Sequence, residues 1–366
     1  MIEFIFWVTI ISLLIQIIYW IFLTYYLTSN KRYSDANIAI SNKVSIIICA
    51  SNEAVNLTDN LPFFLSQKNI VFELIVVNDH SDDETLNILK KFSADHSELI
   101  IVDLANEKQP GKKNALRKGI EHARFENILL SDADCRPSSP FWAAKMLAGI
   151  DPDHQLVAGY APFTSGKTFV ARFSTFENII TALQYIGFGI AGMPYMGVGR
   201  NMGYSASLIK KLNYFDDHKD LMAGDDDLTV QAALAETKIK FILDKDTFVM
   251  SQSAKTWAQY FKQKARHYSV SKRYATVFIF LLGLFGLTWA MFYSGLLVIA
   301  FCMNIWWVII LLFIRYILII ICFKYIQKVL HQHLRITDIL LFDAAFPFVM
   351  GILSIFGLLK TKQHWK

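Results

Sequence analysis

Two aspartates separated by a single residue are the first feature of this sequence that could do chemistry. Asp132 and Asp134 follow an apolar run, residues 127–130, of the kind that forms buried strands. On an extended chain, side chains two positions apart point to the same side, so both carboxylates can face one divalent cation. Lys112 precedes them, and a lysine together with a metal is what a diphosphate requires. The pattern predicts a Mg²⁺ or Mn²⁺ site at Asp132 and Asp134.

Two more polar clusters follow apolar runs nearer the start of the chain. Glu53 closes the first cluster, and Asp79 lies near the start of the second. Part of the second cluster has a purely structural explanation, because Ser81 and Glu84 are spaced as a capping box for a helix over residues 82–92. That explanation leaves Asp79 unassigned, and we predict that Asp79 contacts a ligand.

An acidic triplet lies further along the chain, followed by a basic and aromatic segment. Asp225, Asp226 and Asp227 are adjacent; their mutual repulsion raises at least one pKa or calls for a cation, unless the turn is simply solvated. Residues 257–274 combine aromatic side chains with five cations, which suits an amphipathic helix on an anionic membrane surface. That composition does not explain the spacing of Gln263, Arg266 and His267.

The elements that must position these residues are strands of a sheet. Six short apolar runs alternate with helical patterns, at residues 44–50, 73–79, 99–104, 127–134, 155–161 and 238–243. Strands that are apolar on both faces and separated by helices predict an α/β fold with a mostly parallel sheet. Ligands of such sheets bind beyond the carboxyl ends of the strands, so the polar clusters are expected to meet there.

Charge is distributed unevenly along the 366 residues, of which 54% are hydrophobic and 18% charged. Residues 29–273 carry 57 charged side chains, 23% of their length, which is typical of a soluble domain, while the two flanks together carry ten. This excludes a purely soluble enzyme, a disordered chain and a channel made only of membrane helices. The four cysteines show no CxxC pairing, and the net charge of +5 indicates membrane-surface affinity rather than nucleic-acid binding.

The flanks predict a membrane-bound chain. We expect a transmembrane helix at residues 1–28, a cytoplasmic domain at 29–273 and a membrane region at 274–366. Lys31 and Arg32 directly follow the first span, which places the domain in the cytoplasm by the positive-inside rule. The expected location is the inner or cell membrane of a bacterium. Asp343 and the lysines at the end of the chain argue against a simple final span. The C-terminal spans are therefore expected at about 275–297, at 303–323, and at 339–359 as a spanning or re-entrant segment.

Taken in order, the clusters resemble the membrane-bound members of glycosyltransferase family 2, inverting enzymes with a Rossmann-like GT-A fold that use nucleotide-diphosphate sugars. The family pattern is an Asp pair after the second strand, a DxD, an acidic catalytic motif and a QxxRW before a membrane segment. The matching residues here are Asn78-Asp79, Asp132-Ala133-Asp134, Asp225-Asp226-Asp227 and Gln263-Lys264-Ala265-Arg266-His267. The resemblance covers residues 43–274, and the flanking helices extend it to cellulose-synthase-like and ceramide-glucosyltransferase-like enzymes.

The resemblance implies that Glu53 and Asp79 contact the nucleoside and that Lys112 lies near the base or the phosphate. The DxD aspartates would hold Mg²⁺ or Mn²⁺ against the diphosphate. The general base would be Asp225, by its spacing to the following leucine, or Asp226, by the usual acidic pair.

The resemblance also implies an acceptor side of the site. Arg200 and Asn201 match a loop that the family places near the acceptor. Gln263 and Arg266 would lie over the diphosphate and the acceptor channel. His267 replaces the tryptophan that stacks on the acceptor sugar in the family, which argues against processive extension. Asn78 replaces the first Asp of the family pair and loosens the expected preference for a UDP-sugar.

The expected function is transfer of a sugar from a nucleotide-diphosphate donor to a lipid or lipid-linked saccharide at the cytoplasmic face of the membrane. One alternative is a processive exopolysaccharide synthase that acts on a polysaccharide acceptor with partner subunits. A second is a non-catalytic membrane protein that binds a nucleotide or a cation. A third is a transporter, for which only Arg315 and Asp343 are candidate pore-facing charges.

Overall fold

The chain divides into two compact units, one built around a β-sheet and one built of helices. In the computed structural model, residues 1–29, 43–107, 110–164, 166–213, 226–268 and 273–359 are described, with the backbone alone for 266–268 and 354–359. Asp225 lies outside the described residues, and of Arg266 and His267 only the backbone is described.

The helices of these residues are, in chain order, α1 (Ile2–Ser29), α2 (Ala54–Leu65), α3 (Thr85–Asp95), α4 (Lys112–His122), α5 (Trp142–Leu147), α6 (Phe169–Ile190), α7 (Ala206–Lys211), α8 (Asp227–Ala233), α9 (Trp257–Tyr268), α10 (Thr276–Cys302), α11 (Ile305–Leu330) and α12 (Ile336–Leu359). The strands are β1 (Lys43–Ala50), β2 (Val71–Asn78), β3 (Leu99–Asp103), β4 (Asn127–Asp132), β5 (Cys135–Pro137), β6 (Leu156–Gly159), β7 (Met202–Ser205), β8 (Ile239–Ile242) and β9 (Val249–Ser251). The helical unit contains α1, α6 and α9 to α12, and the sheet unit contains the other elements.

Seven strands of the sheet unit form one sheet in the order β3-β2-β1-β4-β7-β6-β8. The strands β3, β2, β1 and β4 are parallel to one another, as are β6 and β8, whereas β7 runs antiparallel to both of its neighbours. All six strands expected from the sequence are present. The prediction of an α/β fold with a mostly parallel sheet is therefore confirmed.

Two apolar layers enclose this sheet. Ile46 and Ile48 of β1 pack into one layer with Phe64 of α2, and Ile47 packs into the opposite layer with Ile120 of α4. Because consecutive strand residues face opposite layers, a strand buried on both sides reads as a continuous apolar run. Burial of each such side chain contributes about 1.5–3 kcal/mol.

The strands β5, β7 and β9 are not predicted by the sequence pattern. They have three or four residues each, and β7 contains Gly203. A Cβ at this glycine would lie 2.5 Å from Cδ2 of Leu129 on the neighbouring strand. Gly203 weakens the strand pattern of β7 in the sequence, because glycine is rare in strands. The same residue allows β7 to approach β4 closely.

The capping box expected at Ser81 and Glu84 is wrong. Helix α3 begins at Thr85, and Glu84 makes no side-chain cap. Asp83 takes this role, since its Oδ1 accepts hydrogen bonds from the Thr85 amide at 3.0 Å and from the Thr85 hydroxyl at 2.5 Å. Ser81 instead accepts a hydrogen bond from the amide of Asn52 at 2.9 Å. The polar side chains of this loop serve the neighbouring loop as well as their own helix.

Among its described residues, the helical unit has four helices that are long and apolar enough to cross a membrane by length and composition. They are α1, α10, α11 and the first 18 residues of α12, Ile336–Leu353. They coincide with the apolar segments expected at 1–28, 275–297, 303–323 and 339–359, although α11 continues seven residues further. The sequence pattern does not predict α6, a 22-residue helix whose side chains are mostly buried within this unit.

An ion pair between α11 and α12 lies inside the helical unit. Arg315 and Asp343 are both fully buried, with Nη2 at 2.6 Å from Oδ1 and Nε at 3.0 Å from Oδ2. The Arg315 Nη1 also donates to Oε1 of Gln16 on α1 at 3.1 Å, and the Tyr293 hydroxyl of α10 donates to Asp343. These groups join four helices, and the two charges face each other rather than a pore.

Helix α12 also has a backbone carbonyl that its own helix cannot satisfy. Pro347 has no N–H group, so the carbonyl of Asp343, four residues earlier, lacks its helical donor. The indole Nε1 of Trp289 on α10 donates to this carbonyl at 2.9 Å. The proline is therefore tolerated because a neighbouring helix supplies the missing hydrogen bond.

Replacement of Asp343 by Asn should destabilise the chain by about 3–5 kcal/mol, because Arg315 would stay buried without a counter-charge. The double variant Arg315→Met with Asp343→Leu should recover most of that loss. Thermal unfolding of the purified chain in detergent measures both effects, and Lys91→Gln on the exposed side of α3 is the control. A double variant no more stable than Asp343→Asn would contradict this assignment.

Candidate active site

The loops that follow β1 and β2 are joined by reciprocal hydrogen bonds. The backbone amide of Asn52 donates to the hydroxyl of Ser81, and the side-chain Oδ1 of Asn52 accepts from the backbone amide of Asp82 at 2.8 Å. The amide of Glu53 donates to Oγ1 of Thr85 at 2.9 Å. Asn52 has a φ of 57°, in the left-handed region where asparagine is tolerated better than most residues. The two polar clusters predicted from the sequence thus form one structure.

Asp79 lies at the end of β2 with both carboxylate oxygens engaged. Its side chain is fully buried; Oδ1 is 2.7 Å from Nδ1 of His80, and Oδ2 accepts from the amide of Gly111 at 2.8 Å. Gly111 has a φ of 143°, which favours glycine, and it immediately precedes α4. Asp79 therefore holds the segment that carries Lys112.

His80 contacts two hydrogen-bond acceptors, the Asp79 carboxylate through Nδ1 and the Glu107 carbonyl through Nε2 at 2.8 Å. Both contacts require a protonated ring nitrogen, so they favour the imidazolium form. These two hydrogen bonds, the one to Asp79 first, raise the pKa of His80. The stabilisation is complete below the ordinary pKa of 6.5 and is lost as the pH rises through the raised value.

Asn78, which departs from the family pattern, is hydrogen-bonded to Asp103 at the end of β3. Its Nδ2 donates to Oδ1 of Asp103 at 2.8 Å, and the residue is 2% exposed. An aspartate at position 78 would place a second carboxylate against Asp103, with repulsion in place of a hydrogen bond. The departure is therefore accommodated by a local partner.

The DxD aspartates lie where β4 ends. The strand stops at Asp132, and Ala133 and Asp134 form a turn, so the expected extended geometry is wrong for this pair. The turn nevertheless brings the carboxylates together, with ligand atoms of Asp132, Asp134 and Cys135 within 4.8 Å of one another. Lys112 contributes its Nζ at 2.9 Å from Oδ1 of Asp132. The predicted cluster of two carboxylates and a lysine is present.

The environment of Asp134 favours a bound cation. Surrounding protein atoms, and then the charge of Asp132, raise the pKa of Asp134, although the residue keeps an exposed surface. A divalent ion would relieve that repulsion, and carboxylate oxygens suit Mg²⁺ or Mn²⁺. Burial and the two aspartates raise the pKa of the Cys135 thiol well above its usual range, so Cys135 is a poor ligand. The residues fit a metal held by Asp132 and Asp134.

Arg200 and Asn201 have different surroundings. The charge of Arg200 offsets part of the rise in the pKa of Asp134. The Nη2 of Arg200 donates to the carbonyl of Ala161 at 3.2 Å. Asn201 is fully buried, with its Nδ2 donating to two backbone carbonyls at 2.8 Å and its Oδ1 accepting from the indole of Trp142 at 2.9 Å. The Asn201 side chain positions the loop, and Arg200 is the residue that faces the acidic cluster.

Asp226 caps helix α8. Its Oδ1 accepts from the amide of Asp227 at 2.9 Å, and its Oδ2 accepts from the amide of Gly199 at 3.1 Å. The residue therefore ties α8 to the short 3₁₀ turn Gly199–Asn201. Both carboxylate oxygens of Asp226 accept backbone hydrogen bonds, so the side chain has a structural role at this turn.

The segment with Gln263, Arg266 and His267 forms a helix, α9, in the helical unit. A location of α9 at a membrane surface stays a prediction. Lys264 pairs with Glu177 of α6 at 2.9 Å, and the Glu177 side chain is 6% exposed. The Lys264 ammonium also lies 5.8 Å from the ring centre of Tyr260. A mostly buried ion pair thus fixes the helix that carries these residues.

Sequence reasoning missed three residues of the sheet unit. His80 and Asp103 support the loops after β2 and β3, and Cys135 is adjacent to the DxD. The position of His80 directly after Asp79 in the sequence is the pattern that could have indicated its contact with that carboxylate. The contact between Asp103 and Asn78 joins residues 25 positions apart, and only the pairing of β2 with β3 brings them together.

Comparison with known proteins relates part of the chain to one enzyme family. The family model "Glycosyl transferase family 2" matches residues 45–213, a little less than half of the chain. This range is similar to the family 2 glycosyltransferases. The matched range includes Glu53, Asp79, Lys112, the DxD aspartates and the loop with Arg200, while Asp226 and α9 lie beyond it.

Relatives of this chain carry glycosyltransferase or polysaccharide-synthase names. The probable glycosyltransferase YdaM of Bacillus subtilis is 28% identical over 281 residues, 70% of this chain and 64% of YdaM. A poly-beta-1,6-N-acetyl-D-glucosamine synthase of Staphylococcus aureus is 28% identical over 169 residues, 44% of this chain and 40% of the synthase. The chain therefore spans less than two thirds of the length of either relative.

A solved structure shares the fold of this chain. The mannosyltransferase PcManGT from Pyrobaculum calidifontis, in complex with GDP-Man and Mn²⁺, superposes with a TM-score of 0.61 at 16% identity. The match covers 95% of this chain and 99% of that one. The expected GT-A fold flanked by apolar helices is confirmed.

Replacement of Asp132 or Asp134 by Asn should weaken Mn²⁺ binding at least tenfold and reduce sugar transfer by two orders of magnitude or more, because one of two carboxylate ligands is lost. Electron paramagnetic resonance of free Mn²⁺ in titrations of the purified chain measures the first effect. Asp95→Asn at the end of α3 is the matched control. Full activity in both DxD variants would show the metal assignment to be wrong.

Proposed function

We propose that this chain is a membrane-anchored, metal-dependent inverting glycosyltransferase. It transfers a sugar from a nucleotide-diphosphate donor to a lipid or lipid-linked saccharide at the cytoplasmic face. The observation that carries the proposal is the cluster of Asp132, Asp134 and Lys112 at the end of β4, inside the range that is similar to the family 2 glycosyltransferases.

The donor is proposed to bind over the carboxyl ends of β1, β2 and β4. The nucleoside would lie against the joined loops that carry Glu53 and Asp79, and the diphosphate near Lys112. The parallel register supports this arrangement, because Cys49 is level with both Val77 and Asp132. A UDP-sugar is the proposed donor, and the GDP-Man bound to PcManGT makes a GDP-sugar the alternative to test.

The departure of the nucleoside diphosphate needs its growing negative charge to be neutralised. A Mg²⁺ or Mn²⁺ ion held by Asp132 and Asp134 would supply most of that neutralisation. Lys112 and Arg200 would add positive charge from the protein, with Lys112 exchanging its present contact with Asp132 for the phosphate. Gln263 and Arg266 would contribute from α9.

The acceptor hydroxyl must lose its proton as it attacks from the opposite face of the sugar. Asp225 and Asp226 are the candidates for the general base, and such a base is worth about 10²–10⁴ in rate. The two backbone hydrogen bonds to Asp226 favour Asp225 as the base and give Asp226 the role of holding α8 to Gly199. A single displacement then inverts the anomeric configuration.

Membrane anchoring rests on the apolar helices α1, α10, α11 and α12. Lys31 and Arg32 support a cytoplasmic catalytic domain through the positive-inside rule. The ion pair between Arg315 and Asp343 supports α12 as a spanning helix, because a neutralised aspartate no longer opposes insertion. The lysines after α12 remain the observation against it.

The second candidate is processive synthesis of a polysaccharide, favoured by the similarity to a poly-beta-1,6-N-acetyl-D-glucosamine synthase over 44% of this chain. His267, in place of the tryptophan of the family motif, favours single transfer. Non-catalytic binding is the candidate of another class, and the intact cluster of Asp79, Asp132, Asp134 and Lys112 argues against it.

Membranes that contain the chain should transfer labelled sugar from at least one of UDP-glucose, UDP-N-acetylglucosamine, UDP-galactose and GDP-mannose, and only with Mn²⁺ or Mg²⁺ present. Mass spectrometry of the product separates a glycolipid from a polymer. Membranes with the Asp134→Asn variant are the control. Absence of transfer and of donor hydrolysis across the panel would favour the binding protein.

Asp225→Asn should lower kcat by about 10²–10⁴ without a change in melting temperature, because only proton transfer is lost. Asp226→Asn should lower both kcat and the melting temperature, since an amide replaces one oxygen that accepts a backbone hydrogen bond. Steady-state kinetics and thermal unfolding distinguish the two. A normal melting temperature for Asp226→Asn with full loss of kcat would exchange the roles.

A further inference from the structure

A basic cavity of about 490 Å³ lies at the turn between α11 and α12, within the helical unit. One wall is apolar and is formed by Ile320, Phe323, Ile336 and Ile339. Two lysines, two histidines and Gln327 line the rest, and none of the described lining residues is acidic. The proposed transfer reaction does not use this cavity.

Helix stability does not account for the lysines of this cavity. Lys328 lies in the last turn of α11, where a cation suits the helix dipole. Lys324 lies one turn earlier on the same face, and like charges four residues apart destabilise a helix. Among the described residues, neither ammonium pairs with a carboxylate. The nearby Asp338 is 7% exposed and pairs with Arg172 at 3.6 Å.

The turn that lines the cavity holds one of its two histidines, His331, in a costly backbone conformation. His331 ends α11 with a φ of 48° and a ψ of 34°, at a position where glycine or asparagine is preferred. The amide of Leu334 donates to Oε1 of Gln327 at 2.5 Å, which fixes the path of the chain. His331 and His333 thus place hydrogen-bond donors beside the two ammonium groups.

We propose that this cavity binds an anionic phospholipid, with its phosphate at Lys324 and Lys328 and its first methylenes on the apolar wall. The proposal rests on the membrane placement proposed above. If α10 and α11 both span, the chain crosses the membrane twice, and the turn between α11 and α12 lies at the face from which α10 starts, the proposed cytoplasmic face. Anionic lipids are attracted there by basic groups between membrane helices.

The apolar wall favours a lipid over a free phosphate. A soluble anion would gain the charge pairing but would leave the side chain of Ile336, which is 57% exposed, uncovered. The cavity is smaller than a whole phospholipid, so the acyl chains would continue along the exposed apolar face of α11, where Ile317 and Ile321 are 42% and 51% exposed.

The test is lipid binding by the purified full-length chain in detergent, with no sugar donor present. Acyl-labelled phosphatidylglycerol and phosphatidylcholine are titrated against the wild type, the variant Lys324→Gln with Lys328→Gln, and the matched control Lys90→Gln with Lys91→Gln. We expect phosphatidylglycerol to bind at least tenfold tighter than phosphatidylcholine. The cavity variant should lose about 10- to 30-fold of that affinity, and the control none.

Three results would overturn the proposal. They are equal affinity for the two lipids in the wild type, equal losses in the two double variants, and displacement of phosphatidylglycerol by 10 mM glycerol phosphate, which would indicate a site for a free anion. The wild-type comparison stands even if the cavity variant fails to fold. Because no donor is used, a failure of sugar transfer leaves this outcome unaffected.

Discussion

The parallel pairing of β1 with β2 and β4 is the interaction on which the candidate site depends. Parallel strands end at the same edge of a sheet, and the register here sets Ala50 beside Asn78 and Cys49 beside Asp132. The loops that follow are consequently neighbours in space, although Cys49 and Asp132 are 83 positions apart in the sequence (132 − 49). Every proposed donor contact in the sheet unit is a consequence of where these three strands stop.

Each unit contains a buried carboxylate whose oxygens all have hydrogen-bond or ion-pair partners. In the sheet unit, the buried carboxylate of Asp79 is matched by a backbone amide and an imidazole. In the helical unit, Asp343 is matched by a bidentate guanidinium. The first arrangement orders a loop, and the second orders helices. In each case the cost of burial makes any other arrangement unfavourable, so the pairing specifies the geometry.

The sequence was sufficient for the elements with a strong periodic signal. All six predicted strands and four long apolar helices are present. The strands are recognisable because a strand buried on both faces has a continuous run of apolar residues. It was insufficient where tertiary contacts decide. The pattern predicts the start of α3 too early because Asp83, and not Ser81, accepts hydrogen bonds from the first residue of the helix. The pattern does not predict β7 because Gly203, a residue that is rare in strands, is needed there for the close approach to Leu129 of β4. The surroundings of Asn201 and Asp226 depend on loops from distant positions, which no local pattern records.

The hydrogen bond from Trp289 to the carbonyl of Asp343 exists because position 347 is a proline. With any other residue at 347, the backbone amide of that residue would donate to the Asp343 carbonyl within α12. The indole of Trp289 would then lose this carbonyl as its hydrogen-bond acceptor. The two positions lie on different helices and carry no charge, yet the hydrogen bond from one depends on the residue type at the other. Across related chains, they should therefore change together.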